Sequence, residues 1–193
     1  VLGSAMAKGL ARAGAKVAIL GRRREQAEQI AQEIEQLGGS ALPLPANVLQ
    51  RETLEQARET LMKQWGRIDI LVNGAGGNVP EATLSVGASF FDLPAEGLEQ
   101  VIALNLYGTL LPSQVFGAAM AQQEKGCIIN ISSMAAQRAL TRVVGYGIAK
   151  AAVDNATRWL AVELARTVHP QLRVNAIAPG FIESDMTEGL PEK

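Results

Sequence analysis

The sequence predicts an α/β fold, a doubly wound parallel sheet in a single domain, and three observations lead there. Short apolar runs alternate along the chain with amphipathic stretches of ten or more residues. The runs are continuous rather than alternating, the pattern of strands buried on both faces by crossover helices. They end in small or polar residues, at Gly21-Arg22, Asn47-Val48, Asn73-Gly74-Ala75-Gly76, Ser132-Ser133 and Pro179-Gly180. In open parallel sheets ligands bind beyond these carboxyl ends.

The elements follow in order. Gly3 to Gly14 has helical composition and a glycine stop. Lys16 to Leu20 reads as a buried strand leading into Gly21 and the basic loop Arg22-Arg23-Arg24. From Glu25 to Leu37 the positions Ala27, Ile30, Ile34 and Leu37 keep helical spacing, and Gly38-Gly39 ends the helix. Ala41 to Val48 is a proline-interrupted strand, Thr53 to Gln64 a helix with Leu54, Ala57 and Leu61 on one face, and Ile68 to Val72 a strand. Residues 79 to 94, rich in Gly, Pro and Ser, form a loop. A long apolar helix from Glu96 to Gln122, strand Cys127 to Ser132, a polar loop, helix Tyr146 to Arg166 and strand Leu172 to Ala178 complete the pattern. No internal repeat or interdomain linker interrupts it.

Composition narrows the function classes. With 193 residues, about half of them apolar, and a net charge of −1, the chain suits one globular domain, and neither nucleic acid nor an anionic membrane is an electrostatically favoured partner. Cys127, the only cysteine, excludes an intramolecular disulfide framework and fits a reducing compartment. No apolar run approaches the roughly 20 residues of a membrane span and no leader precedes the first helix, so the expected location is the cytoplasm. His, Cys and carboxylate residues show no metal-ligand spacing, so no metal is expected. His169, the only histidine, sits in a loop before Pro170 and reads as a surface residue.

One pair carries chemistry. On a helix, Tyr146 and Lys150 lie on one face about one turn apart. A phenol with a pKa of roughly 10 is a poor proton-transfer group near neutrality unless a positive charge stabilises its phenolate. Lys150 can supply that charge. Taken alone, so common a pair reads first as a packed tyrosine and a solvated lysine.

Its surroundings resemble the short-chain dehydrogenase/reductase family along essentially the whole chain. Asn73-Gly74-Ala75-Gly76 is similar to the family's Asn-Asn-Ala-Gly motif, departing at the second position; Asn105 falls where the family has its active-site asparagine; and Ser133 precedes Tyr146 by thirteen residues, the family interval. Pro179-Gly180 resembles the turn before the family's substrate lid. The resemblance implies a Rossmann-like fold and a catalytic set of Asn105, Ser133, Tyr146 and Lys150. In that set Ser133 polarises a carbonyl oxygen and Tyr146 exchanges its proton. Lys150 lowers the phenol pKa and holds the nicotinamide ribose, and Asn105 supports a water path from Lys150. Read by itself, Asn105 is also an ordinary helix asparagine.

The resemblance further implies a nicotinamide dinucleotide held by Gly3, Arg22, Asn47, Val48, the Asn73-Gly74-Ala75-Gly76 turn, Tyr146, Lys150, Pro179, Gly180 and Ser184. Gly3 looks like the last glycine of the family's phosphate turn. Members that prefer NAD carry an acidic residue at the end of the second strand, where this chain has Gly21 followed by Arg22, so NADP is expected over NAD. The arginine run also reads as a solvated loop. The family's first strand and most of its lid are not in the sequence, so residues 1–193 are expected to be one domain truncated at both ends, binding dinucleotide poorly on its own.

For substrate, two stretches differ. Asn73 to Asn78, Phe90-Phe91-Asp92-Leu93 and Leu104 to Pro112 are similar to D-mannonate (fructuronate) oxidoreductases, whereas Ile182 to Thr187 is similar to 3-oxoacyl-(acyl-carrier-protein) reductases. The expectation is oxidoreduction of a small carbonyl or secondary alcohol, a sugar acid first, with Arg138 or Arg142 as the carboxylate contact. A fatty-acid reductase and a non-catalytic dinucleotide sensor or scaffold are the alternatives. Helices 96–122 and 146–166 are apolar on more than one face, and the resemblance implies that they pair subunits into a homodimer or homotetramer.

Overall fold

A computed structural model describes residues 2–182. The chain runs α1 (Leu2–Arg12), β1 (Lys16–Gly21), α2 (Arg24–Gln36), β2 (Ser40–Pro45), α3 (Arg51–Trp65), β3 (Ile70–Asn73), α4 (Ala95–Ile102), a π-helical segment (Ala103–Tyr107), α5 (Gly108–Gln122), β4 (Gly126–Ile131), α6 (Val144–Thr167) and β5 (Leu172–Ile177). All strand pairing is parallel, as the long helical connections require.

The expected single sheet is observed as two, β1-β2 and β3-β4-β5. Among the described residues no ladder joins β1 to β3. Both strands instead line an apolar cavity of about 670 Å³, with Met6, Leu10, Trp65 and Phe116 among its other walls. Among the described residues β2 pairs only with β1, and as an edge strand it tolerates Pro43 and Pro45, which have no N–H to donate. β3 starts at Ile70 rather than Ile68 because both backbone groups of Ile68 are taken by a side chain. Gln123 Oε1 accepts from its N–H at 2.9 Å and Gln123 Nε2 donates to its carbonyl at 2.8 Å.

The core lies between β2, β3, β4, β5 and the helices α3 and α5, with Leu44, Leu54, Leu61, Val115, Phe116, Met120, Ile128 and Val174 buried together. Leu54, Ala57 and Leu61 of α3 are buried as their spacing predicts. In α2 the buried positions are Ala27, Ala31 and Ile34, while Leu37 is exposed. Leu37 lies beyond the helix, where Gly38 (φ +79°) turns the chain and Gly39 N–H returns to Ile34 O at 3.0 Å. A Cβ at Gly39 would lie 2.7 Å from Ile34 Cγ2, so this stop also requires a close approach.

The long helix is continuous over Ala95–Gln122 but not α-helical throughout, since Ala103–Tyr107 widens into a π turn around Asn105. Asn105 Nδ2 donates to Val101 O at 2.8 Å, so the side chain takes the carbonyl that an α-helix would give to the Asn105 backbone. Pro112 follows in α5, where its missing N–H costs one further rung. Contrary to the sequence expectation, this stretch has the length and apolar composition of a membrane span. Its Val101, Val115, Phe116, Ala119 and Met120 are buried within the fold.

Candidate active site

The carboxyl ends of β3 and β4 and the start of α6 bring Asn105, Ser133, Tyr146 and Lys150 to one end of the three-stranded sheet. Ser133 follows β4 in an extended conformation and begins a short 3₁₀ turn, Met134–Ala136. Its Oγ accepts from Ala135 N–H at 3.1 Å. That bond uses an acceptor lone pair and leaves the hydroxyl proton available to a carbonyl oxygen. The turn is fixed from β5 as well, because Met134 N–H donates to Pro179 O at 2.9 Å. Pro179 therefore braces the serine segment.

Lys150 is 4% exposed, and its Nζ donates to Ile131 O at 2.7 Å and lies 5.6 Å from the Tyr146 ring centroid. Burial pushes its pKa down to about 8, with Asp154 one turn along pulling the other way. At neutral pH the group keeps most of its charge beside the half-buried phenol.

This depression has a measurable sign. The unfolded chain holds the proton more tightly than the folded one, so the penalty is fully present below pH 8 and is relieved as pH rises toward 10.5. It amounts to about 3 kcal/mol. The melting temperature of the wild-type protein relative to Lys150→Met is expected to rise between pH 8 and pH 10. A flat difference across that interval contradicts the burial penalty.

Asn105 is fully buried and clamps the turn after β3. Its Oδ1 accepts from Gly77 N–H at 3.0 Å and its Nδ2 donates to Gly77 O at 2.8 Å. Gly76 (φ +154°) lies so close that a Cβ there would be 2.6 Å from Asn105 Oδ1 and 3.1 Å from Lys150 Nζ. The turn thus requires glycine for both its conformation and its proximity. Behind it runs a buried polar chain. Asn73 Nδ2 donates to Ser113 Oγ and to Asn130 Oδ1, and Asn130 Nδ2 donates to Thr157 Oγ1, at 2.8 to 2.9 Å. Asn73 is therefore spent inward, holding β3, β4, α5 and α6 in register, while Gly74, Ala75 and Gly76 carry the turn.

The remaining positions lie at the other strand ends. Arg22, after β1, is exposed and makes no ion pair among the described residues, whereas Arg24 is paired with Glu28. Asn47 Oδ1 accepts from Leu49 N–H at 3.1 Å in a local turn, which leaves its amide nitrogen free to donate. Val48 packs against the start of α5, where a Cβ at Gly108 would lie 3.1 Å from it. Gly3 lies in the first turn of α1. Ser184 and most of the Ile182–Thr187 stretch lie outside the described residues. His169 stays at the loop, its Nδ1 accepting from Gln171 N–H at 3.2 Å. Among the described residues no group of His, Cys, Asp and Glu could hold a metal ion.

Several contacts were not legible in sequence. Arg142 (φ +70°) gives its Nε to Leu84 O at 2.5 Å and receives Leu84 N–H on its own carbonyl at 2.9 Å, so it ties the loop before Tyr146 to the 79–94 loop. Arg138 is exposed and unpaired among the described residues. Asn130 could have been noticed, since it is a lone amide in the apolar strand Cys127–Ile131.

The strand ends fit a nicotinamide dinucleotide: side-chain-free backbone at Gly74 and Gly76, a free arginine beyond β1, and a cationic group beside the turn. Comparison with known proteins agrees. The profile of the short chain dehydrogenase family matches residues 1–193. An uncharacterized oxidoreductase of Bacillus subtilis, UxuB, is 47% identical over 189 residues, covering 94% of this chain and 67% of that protein. The 5-keto-D-gluconate 5-reductase of Escherichia coli K12 is 34% identical, covering 99% and 71%. A Haemophilus influenzae protein provisionally named a D-mannonate oxidoreductase, crystallised with NAD, is 42% identical with a TM-score of 0.91, covering 98% of this chain and 70% of that one. The chain therefore belongs to the short-chain dehydrogenase/reductase family, as an NAD(P)-dependent oxidoreductase of CH–OH or carbonyl groups.

Proposed function

We propose that the protein interconverts a small polar ketone and its secondary alcohol, a sugar acid such as fructuronate and mannonate, with NADP. The observation that carries this reading is the Ser133 hydroxyl, held as an acceptor by Ala135 and free to donate, at the same sheet end as Tyr146 and Lys150. Ser133 holds and polarises the carbonyl oxygen, and Tyr146 gives that oxygen its proton in the reducing direction. Lys150, kept charged at neutral pH, stabilises the phenolate left behind and holds the nicotinamide ribose. Asn105 fixes the Gly76-Gly77 turn and leads water to Lys150. When bound, the dinucleotide supplies or accepts the hydride.

Gly3, Asn47, Val48, the 73–76 turn, Pro179 and Gly180 would line its length, with Arg22 meeting the 2′-phosphate; Ser184 would reach the carboxamide. The unpaired state of Arg22 and the lack of a carboxylate at Gly21 favour NADP. NAD is the second reading, favoured by the NAD bound to the Haemophilus protein. For assembly, Ile148, Trp159 and Val162 are exposed on α6. At 100° per residue they fall within about 60° of one another, opposite the buried face at Val153 and Thr157. A homodimer or homotetramer covers such a stripe. Cytoplasmic location remains our reading.

The test is steady-state reduction of 5-keto-D-gluconate and D-fructuronate with each dinucleotide. Wild-type kcat/KM is expected to favour NADPH by roughly tenfold or more, and Arg22→Glu to reverse the preference. A wild-type preference for NADH contradicts the NADP reading and leaves the reaction itself untouched.

A further inference from the structure

Asn78 follows directly on the peptide that Asn105 clamps, and its side chain is fixed from one side only. Asn78 Nδ2 donates to Thr83 Oγ1, and the Thr83 hydroxyl spends its single proton on Val79 O at 3.0 Å. Thr83 Oγ1 can therefore only accept from Asn78, which sets the amide: nitrogen toward Thr83, oxygen away from it. Asn78 Oδ1 is then shielded from solvent and without a hydrogen-bond partner. It is the one buried side-chain nitrogen or oxygen in that state among the described residues. A buried acceptor left unmade costs free energy, and a rigid one is ready for a donor.

Its setting locates that donor. The segment from Gly77 to Leu84 is stitched at both ends to the site. Gly77 is held by Asn105 through both backbone groups, and Leu84 is held by Arg142, four residues before Tyr146 in the chain. Between them the Pro80–Ala82 turn is pressed against α4, where a Cβ at Gly97 would lie 2.4 Å from Glu81 O. The segment is thus braced at both ends, at Gly77 by Asn105 and at Leu84 by the loop that leads into Tyr146, with one unsatisfied acceptor in it. A neutral amide oxygen repels a carboxylate and takes a hydroxyl.

We propose that Asn78 is a specificity-determining residue whose Oδ1 accepts a hydrogen bond from a hydroxyl of a polyhydroxylated carbonyl substrate. This rests on the carbonyl/alcohol reading of the same site and names the feature of the substrate that the site selects. A site built to pair a hydroxyl discriminates against analogues lacking it far more strongly than an apolar pocket does.

The test compares kcat/KM for 5-keto-D-gluconate and D-fructuronate with that for ethyl acetoacetate, which has no hydroxyl, using the full-length enzyme saturated with NADPH. Asn78→Ala is expected to lower the sugar-acid values by roughly tenfold or more, leaving ethyl acetoacetate turnover and NADPH affinity within about twofold. Asn78→Asp, whose carboxylate has no proton for Thr83 Oγ1 and repels a sugar-acid carboxylate, is expected to lower the sugar-acid values at least as far. Equal loss on both kinds of ketone with a lowered melting temperature shows a merely structural asparagine and overturns the inference, as does an unchanged ratio. Wild-type enzyme that reduces ethyl acetoacetate and neither sugar acid overturns the substrate class and this inference together. Sugar-acid reduction insensitive to Asn78→Ala overturns the inference alone.

Discussion

Tyr146→Phe is expected to lower kcat by roughly 10²–10⁴-fold while NADPH affinity stays within a few-fold. The substitution removes one oxygen and keeps the ring, which is half-buried at the start of α6. Lys150 keeps its bond to Ile131 O, so the cationic group stays beside the turn. Only the proposed proton donor is lost. Adding Ser133→Ala to this variant is expected to cost little more, because in the proposed reaction the two hydroxyls act on one substrate oxygen and fail as a unit. Single-turnover kinetics with separately measured NADPH binding reads both quantities. Unchanged turnover in Tyr146→Phe places the proton donor elsewhere.

Gly76→Ala is the second large effect. The added methyl carbon would stand 2.6 Å from Asn105 Oδ1 and 3.1 Å from Lys150 Nζ, in a backbone conformation at φ +154° that L side chains avoid. The strain costs about 1–3 kcal/mol, and displacing Asn105 from Gly77 adds about 1–3 kcal/mol for buried groups left unpaired. Melting is expected several degrees lower, with turnover reduced by about tenfold or more. Gly77→Ala serves as the control. Its φ is +148°, but nothing lies within 4 Å of its Cβ position, so it carries the strain without the collision. Thermal melts and kcat for the pair separate the two causes, and equal effects in both variants contradict the role given to the Asn105 clamp.

The secondary structure was legible where burial follows period. Leu54, Ala57 and Leu61 keep helical spacing because α3 buries one face, and β4 reads as a continuous apolar run because both its faces are covered. Leu37 fits the same spacing yet is exposed, since the chain turns away at Gly38 before its position can face the core. The π segment was hidden, because Ala103–Tyr107 has no residue that breaks a helix. Its cause is the Asn105 amide, whose partners Val101 O and Gly77 were visible only in three dimensions. For the same reason Tyr146, Lys150, Ser133 and Asn105 were found by residue type and interval, while Asn78, Thr83 and the Arg142–Leu84 tie were not. Those depend on which loops meet, and residues 79 to 94 carry no periodicity to say so. Arg142, expected as a possible carboxylate contact, braces a loop with its Nε, which leaves Arg138 as the unpaired arginine of that segment.

The claim that the Ser133, Tyr146 and Lys150 site moves hydrogen between dinucleotide and carbonyl is tested most directly by isotope. NADPH carrying deuterium at both hydrogens of nicotinamide C4 is supplied with 5-keto-D-gluconate, D-fructuronate and a panel of simple ketones, and the products are analysed by mass spectrometry. The predicted result is one deuterium on the new carbinol carbon per NADPH consumed, lost in Tyr146→Phe. Measurable NADPH binding with no deuterium in any product would contradict it and leave a dinucleotide-sensing protein.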